Sequence, residues 1–148
     1  MSQGFVNAIS GQPVEQGTWT PEATFATPGD LSVMYSAQTG NYIKIGNLVY
    51  ISVSLNFTPT YTTSSGGFLI SGIPYPAESN SSGLSFAAAG VTTNFVFPTS
   101  TTMLLASVAT SIQLWGVGSA VATSPVTTTH IPTGDQQVFV IGGSYITA

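Results

Sequence analysis

The chain has no cysteine and no arginine, and Lys44 is its single basic residue. Without thiols there is no disulfide framework and no cysteine chemistry, so the redox compartment stays undetermined. One cation cannot neutralise a run of phosphates, which excludes a nucleic-acid surface. Charge of either sign is scarce, at 4% of the 148 residues, against ~25% in an ordinary soluble domain. Long apolar runs are missing too. No stretch approaches the ~20 residues of a membrane span, and Met1–Gly17 lacks the basic start and apolar centre of a secretion signal. The expectation is a protein soluble as made, with no membrane insertion.

What is present is 43% hydrophobic residues. The polar surface must then be built from Thr, Ser, Asn, Gln and Gly, with few charges to hold copies apart. This implies that other copies of the chain cover much of the surface; a lone β domain with a hydroxyl-rich exterior is the alternative. The length suits one domain with a core that needs no staples.

The stretch Tyr42–Phe57 organises the pattern. Val49, Ile51, Val53, Leu55 and Phe57 are apolar while Ser52, Ser54 and Asn56 between them are polar, a period of two that predicts a strand with one face buried. Gly46-Asn47 between two β-rich runs predicts a tight hairpin turn. Met1–Gly17 reads as a linker or the end of a fibre shaft, with one domain over 18–148. Trp19, Ala23 and Phe25 predict a first strand in which Pro21 forces an edge position or a later start. Pro28-Gly29-Asp30 reads as a turn, and after it Leu31, Val33 and Tyr35 make a short alternation that Ala37–Asn41 leads into the hairpin. Thr58–Gly67 and Tyr75–Gly83 read as loops around a strand at Phe68–Ser71. Leu84–Thr92, Met103–Val108 and Ser111–Trp115 read as strands, with a brief one at Asn94–Phe97. Val117–Thr129 reads largely as loop, and Gln136–Ile141 closes the sheet before a turn at Gly142-Gly143. No window carries a 3.6-residue period, and turn signals at regular spacing predict an all-β, antiparallel β-sandwich of jelly-roll kind.

Three blocks in order, Gly17-Thr18-Trp19-Thr20-Pro21, Tyr42-Ile43-Lys44-Ile45-Gly46-Asn47-Leu48-Val49 and Ser71-Gly72-Ile73-Pro74, resemble the distal, C-terminal β-sandwich domain of bacteriophage tail fibres and tailspikes. The third block is commonly Gly-Leu-Pro in that family, so Ile73 is a mild departure. The resemblance implies a homotrimer that contacts the host cell surface. It also implies a place in the virion tail beside other tail or baseplate proteins, after synthesis in the host bacterial cytoplasm. It carries over no binding or catalytic residue: Trp19 would anchor the first strand, Gly46-Asn47 make the hairpin and Gly72-Ile73-Pro74 end a strand.

Reactive groups are few. His130, the single histidine, would have to serve any Ser–His–acid arrangement, and no Gly-x-Ser-x-Gly elbow occurs. Glycosidic cleavage would need two carboxylates roughly 5–9.5 Å apart, and Glu22 with Asp30 is the least poor pair. No cofactor is read. A metal would need a three-fold site in which each chain of a trimer supplies His130. Carbohydrate binding is the chemistry that this composition permits, because sugar C–H faces pack on aromatic rings and sugar hydroxyls pair with amides and hydroxyls. The candidates are Tyr61, Tyr75 and Trp115, in or beside expected loops, with Asn80, Gln113, Thr127 and Thr128 as hydrogen-bond partners. Against this, Trp115 suits a core and Tyr61 and Tyr75 suit a subunit interface. The reading is a receptor-binding tip that holds host polysaccharide without cleaving it. A trimerisation or capping domain is second, and a polysaccharide hydrolase or esterase with an inter-subunit site third.

Overall fold

A computed structural model describes residues 11, 13–78, 85–91, 95–96, 102–108, 110–118 and 120–147, with the side chains of 85–91, 102–108, 117, 118 and 121 left aside. Through these run ten strands and no helix: β1 (Val14–Trp19), β2 (Glu22–Thr27), β3 (Ser32–Ile45), β4 (Leu48–Thr60), β5 (Ser65–Ser71), β6 (Ser85–Val91), β7 (Thr102–Val108), β8 (Ser111–Gly118), β9 (Val121–Pro125) and β10 (Gln137–Ile146). They make two antiparallel sheets, β1-β3-β4-β10-β6 and β2-β5-β8-β7, with β9 pairing the outer half of β8 beyond β5. The expected β-sandwich is the fold.

The β3–β4 hairpin is its spine, paired without a break in sequence order from Ser32↔Thr60 to Ile45↔Leu48 apart from a bulge between Tyr35 and Ala37. Gly46 has a φ of +59° and Asn47 does not share that sign, the pattern of a II′ turn with glycine first. Along β4 the alternation holds: Val49, Ile51, Val53, Leu55 and Phe57 are all buried. Their partners come from the other sheet. Phe57 and Phe139 of the first sheet stack with Phe68 of the second at centroid distances of 5.9 and 5.7 Å, and Phe25 meets Phe68 edge-on at 5.6 Å. Such rings contribute large buried area and geometric preference together.

Several elements differ from the sequence reading. Trp19 and Phe25 do not share a strand, because the chain leaves the first sheet at Thr20-Pro21 and enters the second at Glu22. Pro21 has no N–H to continue a ladder, so the break falls there. β1 takes in Val14–Gly17, residues that the sequence assigns to a linker, through registers such as Val14↔Ile45 and Gly17↔Tyr42. β9 lies inside the expected Val117–Thr129 loop, folded back on β8 through Ala120 at a φ of +56°. Val and Thr suit a strand once β8 supplies the hydrogen bonds. β10 runs straight through Gly142-Gly143, since both are paired to β4 on one side and β6 on the other. Phe95 and Val96 are not in a strand, and Asn94 and Phe97 lie outside the described residues.

The sandwich therefore has two ends. The Gly46-Asn47 turn, the start of β1 and the end of β10 share one, where Gly46 N–H bonds Pro13 O (3.1 Å) and Thr147 N–H bonds Asn47 O (2.9 Å). The β2–β3 turn and the β4–β5 and β9–β10 loops share the other, joined where Gly134 N–H bonds Pro59 O (2.7 Å).

Candidate functional site

The loop end is built by tying three loops to one another. Asp30, in the β2–β3 turn, accepts from the N–H groups of Thr62 (2.9 Å) and Thr63 (2.8 Å) and from both threonine hydroxyls. These donors, the Thr62 hydroxyl first, hold its carboxyl well below the usual carboxylate range. Next in the chain, Tyr61 packs edge-on against Phe25 at 5.3 Å and sends its hydroxyl to the carbonyls of Thr128 (2.9 Å) and Ile131. Its N–H bonds Thr133 Oγ1 at 3.0 Å. Burial pushes the Tyr61 phenol up.

His130 sits in the Thr127–His130 turn that Tyr61 closes. Its Nδ1 accepts the Thr127 N–H at 2.9 Å, which requires a ring without a proton at that nitrogen. Burial holds its pKa below the ordinary histidine value. Nδ1 being engaged, a metal shared between chains would have to use Nε2. Among the described residues no three His, Cys, Asp or Glu side chains come together. The proposed carboxylate pair is separated within one chain. Glu22 begins β2 and Asp30 lies beyond its far end, with about 16 Å of strand between them.

The three aromatic candidates stand in three places. Tyr61 is half-buried at the loop end. Trp115 is inside β8, not beside a loop, at an outward position between the buried Ile112, Leu114 and Gly116. Partly buried there, it is not among the fully buried core residues. It pairs in register with Pro125 of β9, while Gln113, two residues earlier, reaches over Gly67, where a methyl group would stand 2.7 Å from its Nε2. Pro125 lies two residues before Thr127, so Trp115 and Gln113 lead along the outer face of the second sheet towards the loop end. Tyr75 is at the opposite end. Its hydroxyl donates to Glu15, Lys44 Nζ lies 5.1 Å from its ring centroid, and Tyr42 meets it edge-on at 5.6 Å. Asn80 falls outside the described residues.

The arrangement resembles a solved structure in its path. The Dettilon tailspike protein superposes with a TM-score of 0.62 at 16% identity, over 90% of this chain and 24% of that one. The two share a fold. This chain spans about a quarter of the tailspike's length. No protein family and no curated protein matches the sequence.

The sequence missed the Asp30 clamp, whose threonine partners lie more than thirty residues away, and the Pro125–Trp115 pair, hidden by reading β9 as loop. One signal was available for the clamp. An aspartate after Pro-Gly and a Thr-Thr pair after a strand are both capping chemistry, and the sandwich puts strand ends side by side.

Proposed function

We propose that the chain is a receptor-binding domain of a bacteriophage tail fibre or tailspike, working as a homotrimer in the virion tail and holding host surface polysaccharide without cleaving it. The observation that carries this reading is the shared fold with a tailspike protein over 90% of the chain. The surface chemistry supports it. The loop end gathers Thr62, Thr63, Thr127, Thr128, Thr129 and Thr133 around Tyr61, and the Trp115–Gln113 face runs up to it. Hydroxyls, an amide and an aromatic face are what an uncharged sugar engages. Shallow sites of this kind are weak singly and gain from three-fold display. The residues before β1 would join the domain to a shaft.

The test is retention of bacterial surface polysaccharides by the protein, with new reducing ends and released acetate assayed in the same mixture. Trp115→Ala is expected to weaken retention at least tenfold and Tyr61→Ala similarly, with no cleavage products. Tyr75→Ala, at the opposite end, is expected to leave retention unchanged. Release of reducing ends that is lost in Asp30→Asn or His130→Ala would replace this reading by a hydrolase. A second reading, a capping domain that registers fibre chains, is favoured by the apolar corner described next; a folded assembly that retains no glycan would select it.

A further inference from the structure

Nine large apolar side chains are exposed among the described residues, and six of them share one corner of the first sheet: Val14, Ile43, Ile45, Leu48, Tyr50 and Ile146, each 36–52% exposed. Register explains the clustering. Val14, Ile45, Leu48 and Ile146 are successive cross-strand partners in β1, β3, β4 and β10, and Gln16, Ile43, Tyr50 and Ser144 form the adjoining row. Partners across a ladder lie on the same face. The rows make a contiguous patch about 19 Å by 13 Å, six of its eight positions apolar, where the other exposed apolar side chains stand apart from it. A trough of about 410 Å³, lined by Gln16, Gly17, Thr18, Asn41, Tyr42 and Ile43, runs beside it.

The chemistry of the corner selects its partner. No ionised side chain stands in either row. Lys44 and Glu15 alternate onto the opposite face and pair there at 3.9 Å, and Glu78, whose N–H bonds Ile146 O, marks the rim. A charged ligand therefore finds nothing to match, whereas an equally neutral apolar surface does. The chain itself offers such a surface and, at 4% charged residues, little repulsion between copies. β1 is also a sheet edge, the kind of strand that unprotected folds cover by association. We propose that this corner, spanning β1, β3, β4 and β10 at the Gly46-Asn47 end, is the surface through which copies of the chain associate. Gln16 and Ser144 within it and Thr18, Asn41 and Ser52 beside it supply polar positions next to the apolar ones, the mixture found where an apolar interface centre meets its rim. This deepens the self-association in the reading above and does not depend on what the loop end binds.

Sedimentation of the whole chain over a concentration series tests it. The unsubstituted protein is expected to sediment as an assembly, and Leu48→Gln/Ile43→Thr as a single chain, or as an assembly that forms only at least 100-fold higher concentration. Met34→Gln, 76% exposed on β3 outside the corner, is expected to assemble normally. Because the chain has no cysteine, Leu48→Cys and Met34→Cys provide a second measurement that leaves the fold intact. Maleimide labelling at Leu48→Cys should slow at least tenfold as concentration rises through assembly, with no change at Met34→Cys. A single chain at every concentration, assembly undiminished by the double substitution, or labelling at Leu48→Cys that ignores concentration would each overturn the proposal. Polysaccharide retention by the separated chains, weakened through lost multivalency but present, would keep the receptor reading separate from this one.

Discussion

Trp19 lies across Gly40, its register partner, so closely that a methyl group on Gly40 would stand 2.6 Å from the indole ring. Tyr42 covers Gly17 on the same face in the same way. These glycines are sites where a neighbour's ring occupies the space of a side chain, which lets two large aromatics pack flat on a sheet edge. Gly40→Val is expected to destabilise the fold by about 1–3 kcal/mol, the range for overpacking, measured by denaturant unfolding. Asp30 makes a different kind of prediction. Its carboxyl is held ionised below the usual range by the Thr62 and Thr63 donors. The stabilisation is thus present above the unfolded carboxylate value of about 3.9 and is lost as pH falls below it. Melting temperature should drop more steeply between pH 5 and 3 in the unsubstituted protein than in Asp30→Asn, which starts lower. Equal slopes would remove the clamp from the account. The turn at Pro28-Gly29-Asp30 was legible in the sequence. Its partner loop was not, because nothing local says which strand ends a sandwich will bring together.

At the scale of elements, legibility followed the strength of the local pattern. The β3–β4 hairpin was readable because five alternating apolar residues and a Gly-Asn turn agree. The Val14–Gly17 part of β1 was hidden, since Gly17 and scattered polar residues give no period, and its pairing with β3 is fixed beside the rings of Trp19 and Tyr42. β9 was hidden by a Thr- and Ser-rich composition that reads equally as loop. The outward positions of β4 were only half read: Ser52, Ser54 and Asn56 signalled a polar face, while Leu48 and Tyr50 share that face and are exposed. Of the aromatic candidates, Tyr61 does more than display a ring. Its hydroxyl, directed at the carbonyls of Thr128 and Ile131, ties the β9–β10 loop to the β4–β5 loop. Tyr61→Phe is expected to cost about 1 kcal/mol and to speed amide hydrogen exchange in 127–133 while leaving the hairpin protected. Unchanged exchange there would reduce Tyr61 to a packing residue.

At the scale of the molecule, the sandwich sets two chemically different surfaces apart. One end carries the Gly46-Asn47 turn, the start of β1 and an apolar corner with no charge on it. The other carries threonine-rich loops locked together by Asp30 and Tyr61, with Trp115 on the adjoining face. Such a division suits a domain held by its own copies at one end and presented to a surface at the other. As proposed, the loop end attaches to host polysaccharide and leaves it whole. The most direct measurement is binding of the labelled protein to intact bacteria and to the same strains lacking their surface polysaccharide, with the chain-length profile of that polysaccharide recorded before and after. Saturable binding to a strain that carries the receptor, loss of binding with the polysaccharide, and an unchanged profile are expected. Binding that survives removal of the polysaccharide, or a profile that shortens on contact, would contradict the proposal.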